Sequence, residues 1–585
     1  MKNFFKLVTA NVVAILIIFA LFILGFFFFV VLSTFSSNEK VSLKDNSILT
    51  INLKDGVMES SSEASISLFN IGEEMPTKYL DILRAIEYAK TDDHIKGISI
   101  ETDDANAGIT QIDDIRAALE DFKKSGKFIY AYGNTMSQSA YYLASVADKS
   151  FLHPAGGIEL KGLASEVIYF KDFLDKIGIG VDVIRHGKYK SAVEPFLTDK
   201  ISEENKEQLS FMLNDIWGNV SKKIETSRNI DSISFKNIVD SLNGIIPELA
   251  LKGKLIDQLL QKSEYNDLLK EKIKVDSKEN LNTISLQKYI TAVDLDAKGD
   301  KNSQIAILNA SGEIFSGKGN DGIYSENFIH EIKKLKNNDK IKAVVLRVNS
   351  PGGSANASDE ILFELKELQK EKPLIVSMGD YAASGGYYIS MAGQKIFSEP
   401  NTLTGSIGVF GIVPNAKNLA TRNKLRSDVV ATNENSNMLS AIQGMTPGTR
   451  EIMQKSIEQT YKRFVHFVSE NRNKSFEQVD EIGGGHVWSG QRAKSLGLVD
   501  ELGSLNDAIK FAAKEAKLKD YSVKSYPKDK TPLESFFESF NNDDLATKAI
   551  ERKFGKENSQ LLESLLNPNR KGTQMMMPYQ LSLDF

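Results

Sequence analysis

One hydroxyl in this sequence stands in surroundings suited to chemistry. The segment Gly379-Asp380-Tyr381-Ala382-Ala383-Ser384-Gly385-Gly386-Tyr387-Tyr388 surrounds Ser384 with small residues. It follows the apolar run Leu374–Met378 and opens a helical stretch, so it reads as a strand-to-helix junction. Such a junction exposes the hydroxyl at a strand end and leaves room for substrate backbone. It also brings free helix-start N–H groups to a developing oxyanion. A glycine-rich turn with a capping serine is the plain alternative. A second glycine-rich loop, Asn349-Ser350-Pro351-Gly352-Gly353, follows the preceding strand. Strand ends of this kind line ligand crevices in α/β sheets, and their backbone N–H groups are candidates for a second oxyanion donor. In isolation the loop reads equally as a tight turn.

A serine needs a base. The chain has no cysteine, which excludes thiolate chemistry and disulfides. Its six histidines, His94, His153, His186, His330, His466 and His486, form no metal-binding pair and no recognisable triad, so neither a metal nor another cofactor is expected. The remaining candidate is a lysine made neutral by burial. Gly187-Lys188-Tyr189-Lys190-Ser191-Ala192-Val193-Glu194-Pro195-Phe196 offers one, although composition alone does not select Lys190 among 72 lysines and arginines.

An internal repeat offers an independent argument for it. Residues 95–190 and 341–436 read alike at a constant offset of 246. Ile95 matches Ile341, Gly133 matches Gly379, Tyr141-Tyr142 matches Tyr387-Tyr388, and Gly162 matches Gly408. One register held over so long a span indicates a duplicated domain, with a period too long for a solenoid. At this offset Lys190 meets Ser436, Ser384 meets Gln138, and Ser406 meets Leu160. Each copy therefore lacks a different half of a serine–lysine pair, and a working site needs the serine of the second copy and the lysine of the first.

The elements that must position them alternate. Ile305–Leu308, Ala343–Val348 and Leu374–Met378 read as buried strands, and Ser358–Glu371 carries apolar residues at helical spacing. Parallel βαβ units in an α/β layered fold follow, with residues from about 200 to 300 mostly helical and polar. The domain reading is 1–45 as cytoplasmic tip and membrane anchor, 46–290 as the first repeat, 300–530 as the second, and 531–585 as a C-terminal extension. The Gln574–Phe585 tail, with Met575-Met576-Met577, reads as a disordered end or a docking strand.

Leu7–Leu32 is uncharged over 26 positions, against about 20 needed to span a bilayer. Lys2 and Lys6 precede it, and its exit, Ser33-Thr34-Phe35-Ser36-Ser37, is a poor cleavage site. We expect one uncleaved signal anchor with the N-terminus cytoplasmic and the bulk of the chain outside. The net charge of −5 gives no global signal for nucleic acid, which is not an expected partner.

Several stretches together resemble the signal peptide peptidase A (protease IV) family in its long duplicated form. They are Tyr189–Phe196, Asn349–Gly353, Ala382–Tyr388, Leu403-Thr404-Gly405-Ser406-Ile407-Gly408-Val409 and Val487–Asp500, within a likeness covering roughly residues 45–525. The resemblance implies tandem Clp-protease/crotonase-like domains of ββα-type repeats behind one transmembrane helix. It implies Ser384 as nucleophile, Lys190 as general base, Ser406 as the residue positioning the amine, and backbone N–H groups of Gly353 and Gly385 as the oxyanion hole. It further implies a homo-oligomer, tetrameric in the long form, in a bacterial inner membrane with a periplasmic catalytic region, degrading signal peptides left after secretion. Two other classes stand beside it: a crotonase-type acyl-CoA enzyme, which the anchor and the missing acid pair argue against, and a non-catalytic membrane scaffold, which the intact serine motif argues against. A glycine-lined groove would favour small or apolar side chains near the cut.

Overall fold

The structure, a computed structural model, describes residues 11–19, 21–22, 25, 42–60, 76–295, 299–528 and 573–577. Most of the expected Leu7–Leu32 anchor lies outside them, and the described positions within it are helical. Among the described residues, no helix is long and apolar enough to cross a membrane.

Two sheets correspond to the two copies. In the first, six parallel strands run in the order Gln258–Leu259, Lys149–Ile158, Phe128–Met136, Ile95–Ile100, Ser47–Ile51, Thr283–Ser285. The second runs Val487–Ser489, Leu403–Gly405, Leu374–Ala383, Ile341–Ser350, Gln304–Ser311, Ser522–Tyr526. Its pairings are parallel except that of Leu403–Gly405 with Val487–Ser489. These strands read as continuous apolar runs because both faces are covered. Ile305, Ile307, Ala343 and Val345 enter a core shared with the first copy, while Ala306, Leu308, Val344 and Leu346 pack into a second core on the opposite face. Residues 203–292 supply the expected helices, among them Glu203–Arg228, Lys262–Ile273 and Leu286–Ala292.

The shared face carries a polar network. Arg347 donates to Glu59 at 3.1 and 3.0 Å and to the Met378 carbonyl at 3.0 Å. Thr110 donates its N–H and hydroxyl to Asp380, and Asn401 donates to Asp113 at 2.8 Å. These bonds tie the strand leading to Ser384 and the turn before Leu403 to the first copy.

A third sheet joins elements from distant parts of the chain. Its order is Ile323–Tyr324, Ile314–Phe315, Gly352–Ser354, Gln574–Met576, Val409–Asn415, Gly180–His186. The last two strands pair antiparallel from Val409 opposite His186 to Asn415 opposite Gly180, which carries the first copy's chain directly beside the second copy's.

Three local expectations shift. The Leu374 strand does not stop at Met378 but runs to Ala383, because Tyr381–Ala383 pairs with Leu403–Gly405. The small residues of this segment carry little strand signal of their own, and the neighbouring strand decides. The helix expected at Ser358–Glu371, before that strand, starts instead at Ala355, where the Ser354 side chain caps it, and ends at Gln369. Part of the Asn349–Gly353 loop becomes the strand Gly352–Ser354, paired with the tail, so the tail is a docked strand where it is described.

Candidate active site

Ser384 sits between the strand Leu374–Ala383 and the helix Gly385–Ser390. Its backbone lies at φ +54°, a conformation costing a non-glycine residue of order 1–3 kcal/mol. The surroundings hold it there: its N–H donates to the Gly405 carbonyl at 2.8 Å, and its carbonyl accepts from Tyr388 N–H at 2.8 Å. Although it occupies the N-cap position, its side chain makes no capping bond, which leaves Oγ free for another partner.

That partner is Lys190. It follows the strand Gly180–His186, whose pairing with Val409–Asn415 delivers it to the second copy. Lys190 Nζ stands 2.9 Å from Ser384 Oγ, 2.9 Å from Ser406 Oγ and 3.0 Å from the Ser406 carbonyl. Both Lys190 and Ser384 are 0% exposed. Burial holds the amine well below the ordinary lysine range, and no carboxylate offsets the shift.

The contact set fits a neutral amine, which has two N–H donors and one lone pair. The Ser406 carbonyl can only accept, so it takes one N–H. Ser406 Oγ has the Gly485 carbonyl at 3.4 Å as acceptor for its own proton, so it takes the other. The lone pair is then left for the hydroxyl proton of Ser384.

Glycines make room for this arrangement. A Cβ on Gly485, at φ +88°, would stand 2.6 Å from Lys190 N and 2.8 Å from its Cα. Tyr189 N–H donates to the Gly484 carbonyl at 3.0 Å, fixing the lysine's segment on the same loop. The two expected oxyanion donors also converge: a Cβ on Gly385 would meet Gly353 N at 3.2 Å. Every residue singled out for the site is thus brought into one place within one chain.

The first copy's counterpart positions are occupied otherwise. Gln138, where the second copy has Ser384, is buried, and its side-chain oxygen accepts from the N–H groups of Lys161 and Gly162 at 3.0 and 2.9 Å. Ser436, where the first copy has Lys190, is exposed. Sequence reasoning missed the loop Gly483–Gly485, whose run of three glycines was the available signal. It also missed that His486 contributes its backbone: the His486 carbonyl accepts from Ser406 N–H at 2.7 Å, while burial pushes its ring down to about 4. His186 stacks on Tyr461 at 3.8 Å.

Comparison with known proteins gives a consistent answer. The profile of peptidase family S49 matches residues 121–276 and 366–519, more than half of the chain, and that of Clp protease matches 297–404. The chain is 37% identical to Protease 4 of Salmonella typhi, covering 78% of this chain and 75% of that one. It is 36% identical to Protease 4 of Haemophilus influenzae, covering 87% of each. With the chloroplastic serine protease SPPA of Arabidopsis thaliana it shares 32% identity, covering 81% of this chain and 70% of that one.

Proposed function

This chain belongs to peptidase family S49, with a Clp-protease-like α/β fold and serine peptidase activity on peptide substrates, and we propose that Ser384 and Lys190 are its catalytic dyad. The observation that carries this reading is the three-contact environment of Lys190 Nζ, which leaves its lone pair facing Ser384 Oγ at 2.9 Å. As Ser384 Oγ attacks the substrate carbonyl, Lys190 takes its proton. Gly353 and Gly385 N–H groups hold the oxyanion. The amine then protonates the leaving nitrogen, and a water activated by the same amine releases the acyl group. Ser406 positions the amine through its carbonyl and hydroxyl.

Further features belong to the same proposal. Leu7–Leu32 anchors the chain in a bacterial-type inner membrane, N-terminus inside and catalytic region periplasmic, a reading supported by its uncharged length and the flanking lysines. The two repeats span about 46–290 and 300–530, built from ββα-type units. The enzyme works as a homo-oligomer, a tetramer by family resemblance, and degrades signal peptides left in the membrane. An acyl-CoA enzyme would not need a buried amine against a serine, and a scaffold would not need Ser384 held at a positive φ.

Hydrolysis of an apolar peptide by the purified full chain tests the reading. Ser384→Ala and Lys190→Arg should each lose on the order of 10⁴–10⁶ in kcat, since guanidinium stays protonated. Substantial hydrolysis by purified Ser384→Ala would overturn it.

A further inference from the structure

The loop Gly483–Gly485 does more than make room for Lys190, because its residues are bonded on both sides. Gly484 donates its N–H to the Tyr461 hydroxyl at 3.3 Å, and its carbonyl accepts from Tyr189 N–H at 3.0 Å. Tyr189 is the residue before the lysine. Gly485 reaches the far side of the amine: its N–H donates to the Ile407 carbonyl at 2.8 Å, and its carbonyl accepts from Ser406 Oγ at 3.4 Å. The loop thus links Tyr461 both to the main chain that bears Lys190 and to the serine that holds its amine.

Tyr461 meets the lysine's segment by a second route. Its ring stacks on that of His186, with 3.8 Å between centroids and 25° between planes. His186 ends the strand Gly180–His186 that leads to Lys190. Burial holds that imidazole below its ordinary range, so the stacked ring is neutral near pH 7. Tyr461 itself is 2% exposed and sits on the helix Pro447–Arg472, whose Arg450 pairs with Asp182 of the same strand. Its hydroxyl donates to Asp480, whose backbone carbonyl accepts from Gly483 N–H at 3.2 Å. A phenylalanine would fill the same space and make the same stack, so only the hydroxyl bonds call for tyrosine.

The duplication supplies a comparison. Glu203–Arg228 and Pro447–Arg472 are both 26 residues long, and each is closed by a left-handed asparagine, Asn229 or Asn473. The helices that follow, capped by Asp231 and Ser475, keep the same offset of 244. At that offset Tyr461 falls on Trp217, Asp480 on Lys236, and Gly483-Gly484-Gly485 on Val239-Asp240-Ser241. The copy that receives no lysine therefore has neither the hydroxyl, nor its acceptor, nor the glycines.

We propose that Tyr461 is a positioning residue for the general base: its ring holds the end of the lysine's strand, and its hydroxyl holds the glycine loop on which the lysine and Ser406 are set. The inference rests on the dyad reading and adds what fixes the amine in place.

The test is kcat and KM for an apolar peptide from about pH 5 to 10, measured on the purified full chain as wild type, Tyr461→Phe and Asp480→Ala. Tyr141→Phe is the comparison, because it removes an equally buried hydroxyl bond, 2.8 Å to the Leu255 carbonyl, within the first copy. Tyr461→Phe should lower kcat on the order of 10-fold with KM changed less than about 3-fold, since a displacement of about 1 Å at the reacting groups costs about 10²-fold. The rise of kcat/KM with pH should move to higher pH, because a loosened loop admits water to the amine and relieves the burial that keeps it neutral. Asp480→Ala, at an exposed position, should move both readouts the same way by a smaller factor. Tyr141→Phe should keep the wild-type kcat and pH profile even where its melting temperature falls. An unchanged kcat or an unmoved pH profile in Tyr461→Phe, or an equal loss in Tyr141→Phe, overturns the positioning role. Should Tyr461→Phe fail to fold, Asp480→Ala decides by the same two readouts. Those failures leave the dyad standing so long as Ser384→Ala and Lys190→Arg are inactive, whereas hydrolysis by Lys190→Arg would remove the dyad and this role together.

Discussion

Lys190 is the residue on which function and stability pull in opposite directions. Its amine is fully buried and held well below the ordinary lysine range by that burial. An unfolded chain would carry the proton up to about pH 10.4. Between the depressed folded value and that figure, the unfolded chain binds a proton that the folded chain lacks, so stability rises with pH across the window. The neutral amine that the proposed dyad needs as a base is thus obtained at the expense of stability at neutral pH. Lys190→Met keeps the stem and removes the titration. Its melting temperature relative to wild type should decline as pH rises from the depressed Lys190 value towards about 10, with activity absent throughout. A difference in melting temperature that does not change with pH would contradict a depressed Lys190. Ser384 shows the same tension in its backbone, since its positive φ serves the exposure of Oγ and not the stability of the turn.

Among the elements, loops from both copies close around the amine. Gly485 admits the Lys190 main chain where any side chain would collide, and its own φ of +88° disfavours other residues. Gly485→Ala should lower kcat by 10²-fold or more, because a displacement of about 1 Å at the amine is enough for that. The sheets should survive, so the far-UV circular dichroism spectrum should stay that of wild type, and retained kcat would show that the loop does not set the amine. The sequence made much of this legible. The constant repeat offset added an argument for Lys190, because the loss of complementary halves is a pattern that one copy alone cannot show, and the Tyr189–Phe196 motif singled it out from other lysines without a counterpart. Apolar runs gave the central strands, since parallel strands covered on both faces need no alternation. What escaped depended on partners far away in the chain. The extension of a strand to Ala383 is imposed by Leu403–Gly405, the strand at Gly352–Ser354 by the tail, and the role of Gly483–Gly485 by a lysine nearly 300 residues earlier. Local composition carries none of these.

At the scale of the whole molecule, the duplication explains why the chain works as one unit. The two copies share a core, and Glu59 of the first meets Arg347 of the second as a buried ion pair, with side chains 2% and 1% exposed. Arg347 also bonds the Met378 carbonyl on the strand that leads to Ser384, the proposed nucleophile. Neither copy holds both members of the proposed dyad, so the registry of one copy on the other sets the distance between amine and hydroxyl. The most direct test of that claim is the rate at which a fluorophosphonate labels the full chain, followed by peptide mapping, from about pH 5 to 10 in wild type and Lys190→Arg. The adduct should lie on Ser384. Its rate of formation should rise as pH passes through the depressed Lys190 value and level off below the ordinary lysine pKa of about 10.4, with no labelling in Lys190→Arg. An adduct on a different serine, or an undiminished rate in Lys190→Arg, would contradict the account.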